Sequence, residues 1–334
     1  MRKTIAARGA TLAMAWSCWL LTASRSEAVT MTFGAAKDAT LYESATGALS
    51  GGGEDGFFAG RTVQVAAEDA RRALIQFNLS SIPAGSTINS VSLRLSVLRT
   101  NATSPRAMTL HRLLGDWGEG TTVDPDRPNG GSGGPAANGD ATWIHQFRPG
   151  DLWSTAGGDF SAAASATTNV PTSGAFTWNT SSGLVADVLG WVNDPTSNFG
   201  WLIKDAENTA GTSRRFASRE NSVANNRPLL TIDFTPPVVR TPGDVNNDGA
   251  VNAVDAALLA AAYGTTTTAN NFDLGEFSGD GIVGVADLAI LQRNFSPLAQ
   301  ASPATVPEPG SALLAVSAMA CAGVVAIRRR RRAG

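Results

Sequence analysis

Apolar residues recur at every second position in several short stretches of this chain. In 73–79, Ala73, Ile75, Phe77 and Leu79 share one face; in 91–98, Val91, Leu93, Leu95 and Val97 do so while Ser92, Arg94 and Ser96 point away. A period of two is that of a half-buried strand. Between these stretches, Ser81-Ile82-Pro83-Ala84-Gly85 places Pro and Gly as turn geometry requires. Further strands are expected at 108–113, 176–179, 200–205, 215–219 and 229–234. One segment changes period. In 182–192 the apolar residues repeat at helical spacing, with Ser181 or Ser182 available as N-cap, which predicts a short helix covering one end of a β-sandwich. The Gly-rich stretch 118–140 reads as a long surface loop.

The pattern changes again after Phe234. Residues 235–242 (Thr-Pro-Pro-Val-Val-Arg-Thr-Pro) read as a stiff linker, and 243–296 as a small helical module. Residues 297–309 form a second linker rich in Pro, Ala and Ser.

The module carries the most specific chemistry in the chain. Calcium takes six to eight oxygens, and a 12-residue loop supplies them from positions 1, 3, 5, 7, 9 and 12. In 244–255 those positions are Asp244, Asn246, Asp248, the carbonyl of Ala250, Asn252 and Asp255, with Gly249 at the sixth, where the turn is sharpest. A second copy lies 32 residues on: Glu276, Ser278, Asp280, the carbonyl of Ile282 and Asp287 take the same positions, and Gly284 offers no oxygen at the ninth. Each loop runs into helical text, Val254-Asp255-Ala256-Ala257-Leu258-Leu259 and Ala286-Asp287-Leu288-Ala289-Ile290-Leu291. Two calcium ions are expected, the second held more weakly. The duplication, and Asp rather than Glu at the twelfth position, resemble a type I dockerin. That resemblance implies a cohesin-like protein partner, with Ala253 and Val254 as candidate contacts or as plain packing.

Both ends of the chain read as targeting signals. Arg2, Lys3 and Arg8 precede an apolar run to Ala23 and a small-x-small site at Ser26-Glu27-Ala28, the build of a secretory signal peptide over 1–28; an uncleaved anchor is the alternative. At the other end, Pro307-Glu308-Pro309 precedes 17 uncharged residues, 311–327, and five arginines, 328–332. That length is near the lower limit of a membrane span, and the arginines would stay on the cytoplasmic side. Triplet, span and basic cluster over 306–334 resemble a PEP-CTERM sorting signal, which implies an exosortase, removal of the tail and release to the cell surface or matrix. A retained anchor is the alternative.

Setting the ends aside changes the composition. Cys18 and Cys321 both fall in them, so the body has no disulfide, thiolate nucleophile or cysteine zinc site. Residues 29–306 carry 17 Lys and Arg against 26 Asp and Glu, a net charge of −9, which argues against nucleic acid as partner.

The β region resembles the DNRLRE family over roughly 200 residues. The match is carried by 72–80 (Arg-Ala-Leu-Ile-Gln-Phe-Asn-Leu-Ser), Ile82-Pro83, Ile88, Asp116-Trp117, Glu119-Gly120, 198–204 (Asn-Phe-Gly-Trp-Leu-Ile-Lys), 216–220 and 227–232. It implies a mostly β, jelly-roll-like sandwich and polysaccharide binding, since some members are grouped with modules that recognise alginate. Candidate sugar contacts are Trp143 and Trp153, which flank loops and are expected to be exposed, with Lys204, Arg215 and Arg219 for carboxylated sugars. The competing reading of those cations is ion pairing with Asp205, Glu207 and Glu220.

Catalysis has little support. His111 and His145 sit near no nucleophile motif, and His111 reads as structural. Asp116 with Glu119, or Asp205 with Glu220, could be offered as a glycosidase pair, yet they lie in the stretches that carry the family resemblance. The expectation is a secreted, non-catalytic binding or scaffold protein. A purely structural matrix protein is the alternative, and a polysaccharide-degrading enzyme is a third reading.

Overall fold

The computed structural model describes residues 27–63, 68–128, 130–237 and 239–296. The expected signal peptide up to residue 26, the expected linker 297–309, the expected sorting signal at Pro307-Glu308-Pro309 and the apolar stretch 311–327 lie outside them. Among the described residues no helix is long and apolar enough to cross a membrane. They fall into two compact units that divide after Pro237.

The first unit is built on ten antiparallel strands: β1 (Val29–Tyr42), β2 (Gly56–Arg61), β3 (Ala70–Phe77), β4 (Thr87–Thr100), β5 (Arg106–Arg112), β6 (Ala166–Val170), β7 (Gly174–Trp178), β8 (Trp201–Lys204), β9 (Arg214–Ala217) and β10 (Leu229–Thr235). The expected jelly-roll-like sandwich is corrected here: the sheet closes into a barrel. Two strands make the closure. β1 pairs with β10 through Val29–Gly34, then a bulge between Ala35 and Lys37 hands it to β3, where Asp38 faces Ile75. β2 pairs with β9 and turns onto β3 at Gly60, whose φ of 106° only glycine adopts freely. With β10 and β9 both on β4, the ring returns to its start. β8, β5 and β6 continue outward from β3, and β7 adds to the other edge of β4.

Alternation sends one set of side chains into the barrel. Ala73, Ile75 and Phe77 of β3 meet Val91, Leu93, Leu95 and Val97 of β4, together with Trp178, Trp201 and Phe216. A helix α1 (Ser182–Asn193) adds Leu184, Val188, Trp191 and Val192 to the same core. Ser181 is its N-cap, its hydroxyl accepting from the Leu184 N–H at 3.1 Å.

The opposite set is buried too. Ala39, Leu41, Leu74 and Leu202 point outward against Trp117, Ala141, Trp143 and Trp153. The Gly-rich stretch 118–140 runs along this layer at the surface: Asp124, Gly134, Ala136 and Asp140 are buried, and its other described residues are exposed or half-buried. Buried carboxylates tie it down: Glu54 accepts from the Asp124 N–H, and Asp140 accepts from Thr122 Oγ1 and the Ala137 N–H.

The second unit contains α2 (Ala253–Ala262) and α3 (Val285–Asn294). Val245, Val251, Leu259, Phe277, Val283 and Leu291 form its core.

Candidate metal centres

Each 12-residue loop of the second unit gathers three carboxylates. Oxygens of Asp244, Asp248 and Asp255 lie within 4.8 Å of one another, as do those of Glu276, Asp280 and Asp287. Like charges approach this closely only where hydrogen bonds or a cation hold them. Both kinds of support can be traced to the local sequence.

The backbone curls around the first residue of each loop. Asp244 accepts from the N–H groups of Asp248 (3.1 Å) and Gly249 (2.9 Å). Positive φ at Asn247 (56°) and Gly249 (88°) turns those groups inward. Gly279 (81°) and Gly281 (78°) take the same positions in the second loop. The twelfth residue does two jobs. Asp255 stands at the third position of α2, where its Oδ2 accepts from the Asn252 N–H, while Oδ1 accepts from Val245 and Asn246. Asp287 repeats this with Gly284, Phe277 and Ser278. An ionised carboxylate at a helix N-terminus also suits the helix dipole. Burial alone would raise the Asp287 carboxyl, but the N–H groups of Phe277, Gly284 and Ser278 outweigh it and hold it below its ordinary value.

These residues fit calcium. The donors are all oxygen, the carboxylates other than Glu276 keep lone pairs free beyond the bonds they accept, and the two position-7 carbonyls complete the pattern. Asp244, Asp255, Glu276 and Asp287 are buried; Asp248 and Asp280 are exposed on the open side of their loops.

The loops differ at two positions. Asn252 offers a side-chain oxygen at position 9, bonded to the Val254 N–H at 2.8 Å; Gly284 offers none. At position 1 the longer Glu276 divides its carboxylate. Its Oε1 accepts from Ser278 Oγ and from the Gly279 and Asp280 N–H groups, while Oε2 is taken by the Asn270 N–H outside the loop. In the first loop both oxygens of Asp244 serve the loop itself.

A third acidic group, Asp38, Glu119 and Glu220 in the barrel unit, also lies within 4.8 Å. It holds its own cation. Arg219 reaches Glu119 and Glu220 from Nε at 2.7 and 2.8 Å, and its N–H donates to Asp38 at 2.8 Å. Burial, with Glu220 and Glu119 nearby, pushes the Asp38 carboxyl well up despite that bond. Nothing in the spacing of residues 38, 119 and 220 signals this group, because three separate segments build it.

The expected sugar contacts fare differently. Trp143 and Trp153 are 8% and 5% exposed, which corrects the expectation that they face solvent. The Arg72 guanidinium lies 4.7 Å from the Trp143 ring centre, and Trp153 Nε1 donates to the Thr142 carbonyl. Lys204 pairs with Glu207 at 2.8 Å, Arg215 with Asp55, and Arg219 with Glu119 and Glu220. Asp205 pairs with Arg106 instead. Asp116 is bonded to Lys37. His111 is held between the Ser161 carbonyl and Thr109 Oγ1, and His145 against Thr142 Oγ1. Burial lowers both histidines.

No curated protein matches the chain. Residues 242–296, which contain both loops and both helices, match the model of the dockerin type I domain, a domain that binds calcium and docks a cohesin-type partner.

Proposed function

We propose that this chain is an exported, non-catalytic surface protein, whose C-terminal module docks a cohesin-type partner when its two loops hold calcium. One observation carries the docking half: two loops, each converging three carboxylates about a tight turn, within a segment similar to dockerins. Asp244, Asn246, Asp248, Ala250, Asn252 and Asp255 hold one ion, and Glu276, Ser278, Asp280, Ile282 and Asp287 hold the other. The barrel is the ligand-binding half, with polysaccharide as its ligand, a reading supported by the resemblance of its strand segments to the DNRLRE family. The tail, through Pro307-Glu308-Pro309, is read by an exosortase and removed. The burial of Trp143 and Trp153 favours the purely structural alternative on that face of the barrel.

The test is a calcium titration of the full chain, followed by binding to a panel of immobilised type I cohesin domains. Two binding events are expected, with cohesin capture in calcium and none in chelator. Calcium-independent capture, or an absence of calcium binding, overturns the docking reading. Mass spectrometry of the natural protein tests the tail; arginines 328–332 present on most molecules overturn its removal.

A further inference from the structure

Four strands of the barrel bring together arginines that neither the calcium loops nor the expected sugar contacts explain. The strand registers set Arg99 of β4 opposite Arg215 of β9, and Arg215 opposite Phe58 of β2. Two residues further along β2, Gly60 faces Arg71 of β3. With Arg61, and with Arg127 from the loop after β5, these side chains line one pocket of about 190 Å³. That is the volume of about six waters at ~30 Å³ each. Five guanidinium groups line it, and among the described residues no carboxylate does.

Two of the five are neutralised from behind: Arg61 by Asp69 and Arg215 by Asp55. The other three pair with no carboxylate among the described residues. Arg71, only 5% exposed, donates to the carbonyls of Glu68, Ala70 and Gly131 and lies over the Tyr42 ring. Among the described residues, Arg99 reaches the Gly130 carbonyl, at 3.4 Å. Like charges directly opposite on neighbouring strands destabilise a sheet, and Arg71 is buried with no carboxylate in direct contact, its nearby counter-charges Asp69, Glu43 and Glu68 acting only at longer range. Burial lowers both Arg71 and Arg215 from the ordinary arginine value. An anion entering the pocket relieves both penalties at once, and guanidinium groups match carboxylate and sulfate oxygens with paired N–H donors.

We propose that this pocket binds an oxyanion, carboxylate or sulfate, carried on a sugar of an acidic polysaccharide, with Arg71, Arg99 and Arg127 as its contacts. The sugar rests on the polysaccharide reading of the barrel; the oxyanion rests on the pocket alone. It moves the ligand away from Trp143, Trp153 and Lys204; of the expected contacts only Arg215 lines the pocket.

Calorimetry on the full chain, at low salt and in calcium, tests it with four probes: a uronic acid oligomer, a sulfated oligosaccharide, a neutral oligosaccharide of equal length, and free sulfate. Binding of one anionic oligomer and not the neutral one is expected, weakening as salt rises. Arg99 and Arg127 are exposed, so R99Q/R127Q should leave the barrel intact and lower affinity at least about tenfold. Arg94→Gln, on the same strand outside the pocket, should bind like the parent. Unchanged binding by R99Q/R127Q, or equal binding of the neutral oligomer, overturns the pocket and leaves the polysaccharide reading standing. Binding of free sulfate alone, lost in R99Q/R127Q, keeps the pocket and overturns the polysaccharide reading. Failure of every probe overturns both.

Discussion

Inside the barrel, from Phe33 to Phe234, the space is filled by apolar side chains that interdigitate across the sheet. Inside the module, six buried apolar residues share the interior with four buried carboxylates, Asp244, Asp255, Glu276 and Asp287. The barrel can be stable on hydrophobic burial, which is proportional to the apolar area removed from water. In the module that burial is opposed, because residues 243–295 carry six net negative charges and their centre is acidic. Its folding is expected to be coupled to a cation held by those carboxylates. One chain thus contains a unit whose structure is its own and a unit whose structure is borrowed from the medium.

Calcium removal should break this comparison open with the largest effect. In excess chelator, amide hydrogen exchange across 242–296 should rise towards unfolded rates, while strands β1 to β10 keep their protection. The six tryptophans beyond residue 28 all lie between 117 and 201, so tryptophan fluorescence should not change. A module that stays protected in chelator would show that its apolar core suffices.

Loop by loop, Asp248→Ala should abolish the tighter calcium event in calorimetry and Asp280→Ala the weaker one. Each should cost at least about 100-fold, beyond the loss typical of a group outside the coordination shell. Glu276→Asp frees the Asn270 N–H and should alter the second event only. Equal affinities in the parent would refute the inequality inferred from Gly284 and Glu276.

A change in the barrel core should act in the opposite sense. Trp201 packs against Phe77 and Trp191, and its Nε1 donates to Asp187 at 2.8 Å. Trp201→Ala should destabilise the barrel by about 3–5 kcal/mol in denaturant titration while both calcium affinities hold.

The smallest effect concerns Asp38. Its folded-state carboxyl is raised, so its contribution to stability is fully present below the unfolded value of 3.8 and is lost as the pH rises through the folded value. Asp38→Asn should therefore raise the Tm at pH 7, and the gain should shrink to nothing as the pH falls to 3.8. A gain that persists in acid would point to packing rather than charge.

Strands buried on one face were legible as alternation, and the calcium ligands were legible because each loop position has its own chemical requirement. β1 and β2 were not. Gly56-Phe57-Phe58-Ala59-Gly60 is buried on both faces, so no period of two survives in it. Closure of the barrel depends on a bulge at Ala35 and a positive φ at Gly60, and neither leaves a periodic trace. The Gly-rich 118–140 segment has the composition of a free loop and does lie at the surface, yet hydrogen bonds to Glu54 and to its own Asp140 tie it down, which composition cannot reveal. The arginine row joins positions 61, 71, 99, 127 and 215, and only the register of four strands unites them.

The pairing of β1 with β10 also sets the order in which the barrel can form. The Thr30–Asp233 hydrogen bond spans 203 residues. Contacts of such long sequence separation pay their loop-closure entropy before any reward and fold slowly. A chain crossing a membrane from its N-terminus would present β1 first and β10 almost last. Until residue 235 emerges, the 29–34 edge of β1 and the 87–94 edge of β4 have no mates, so a half-delivered chain exposes two open strand edges. Escort through that interval, rather than final stability, would then limit the yield of exported protein.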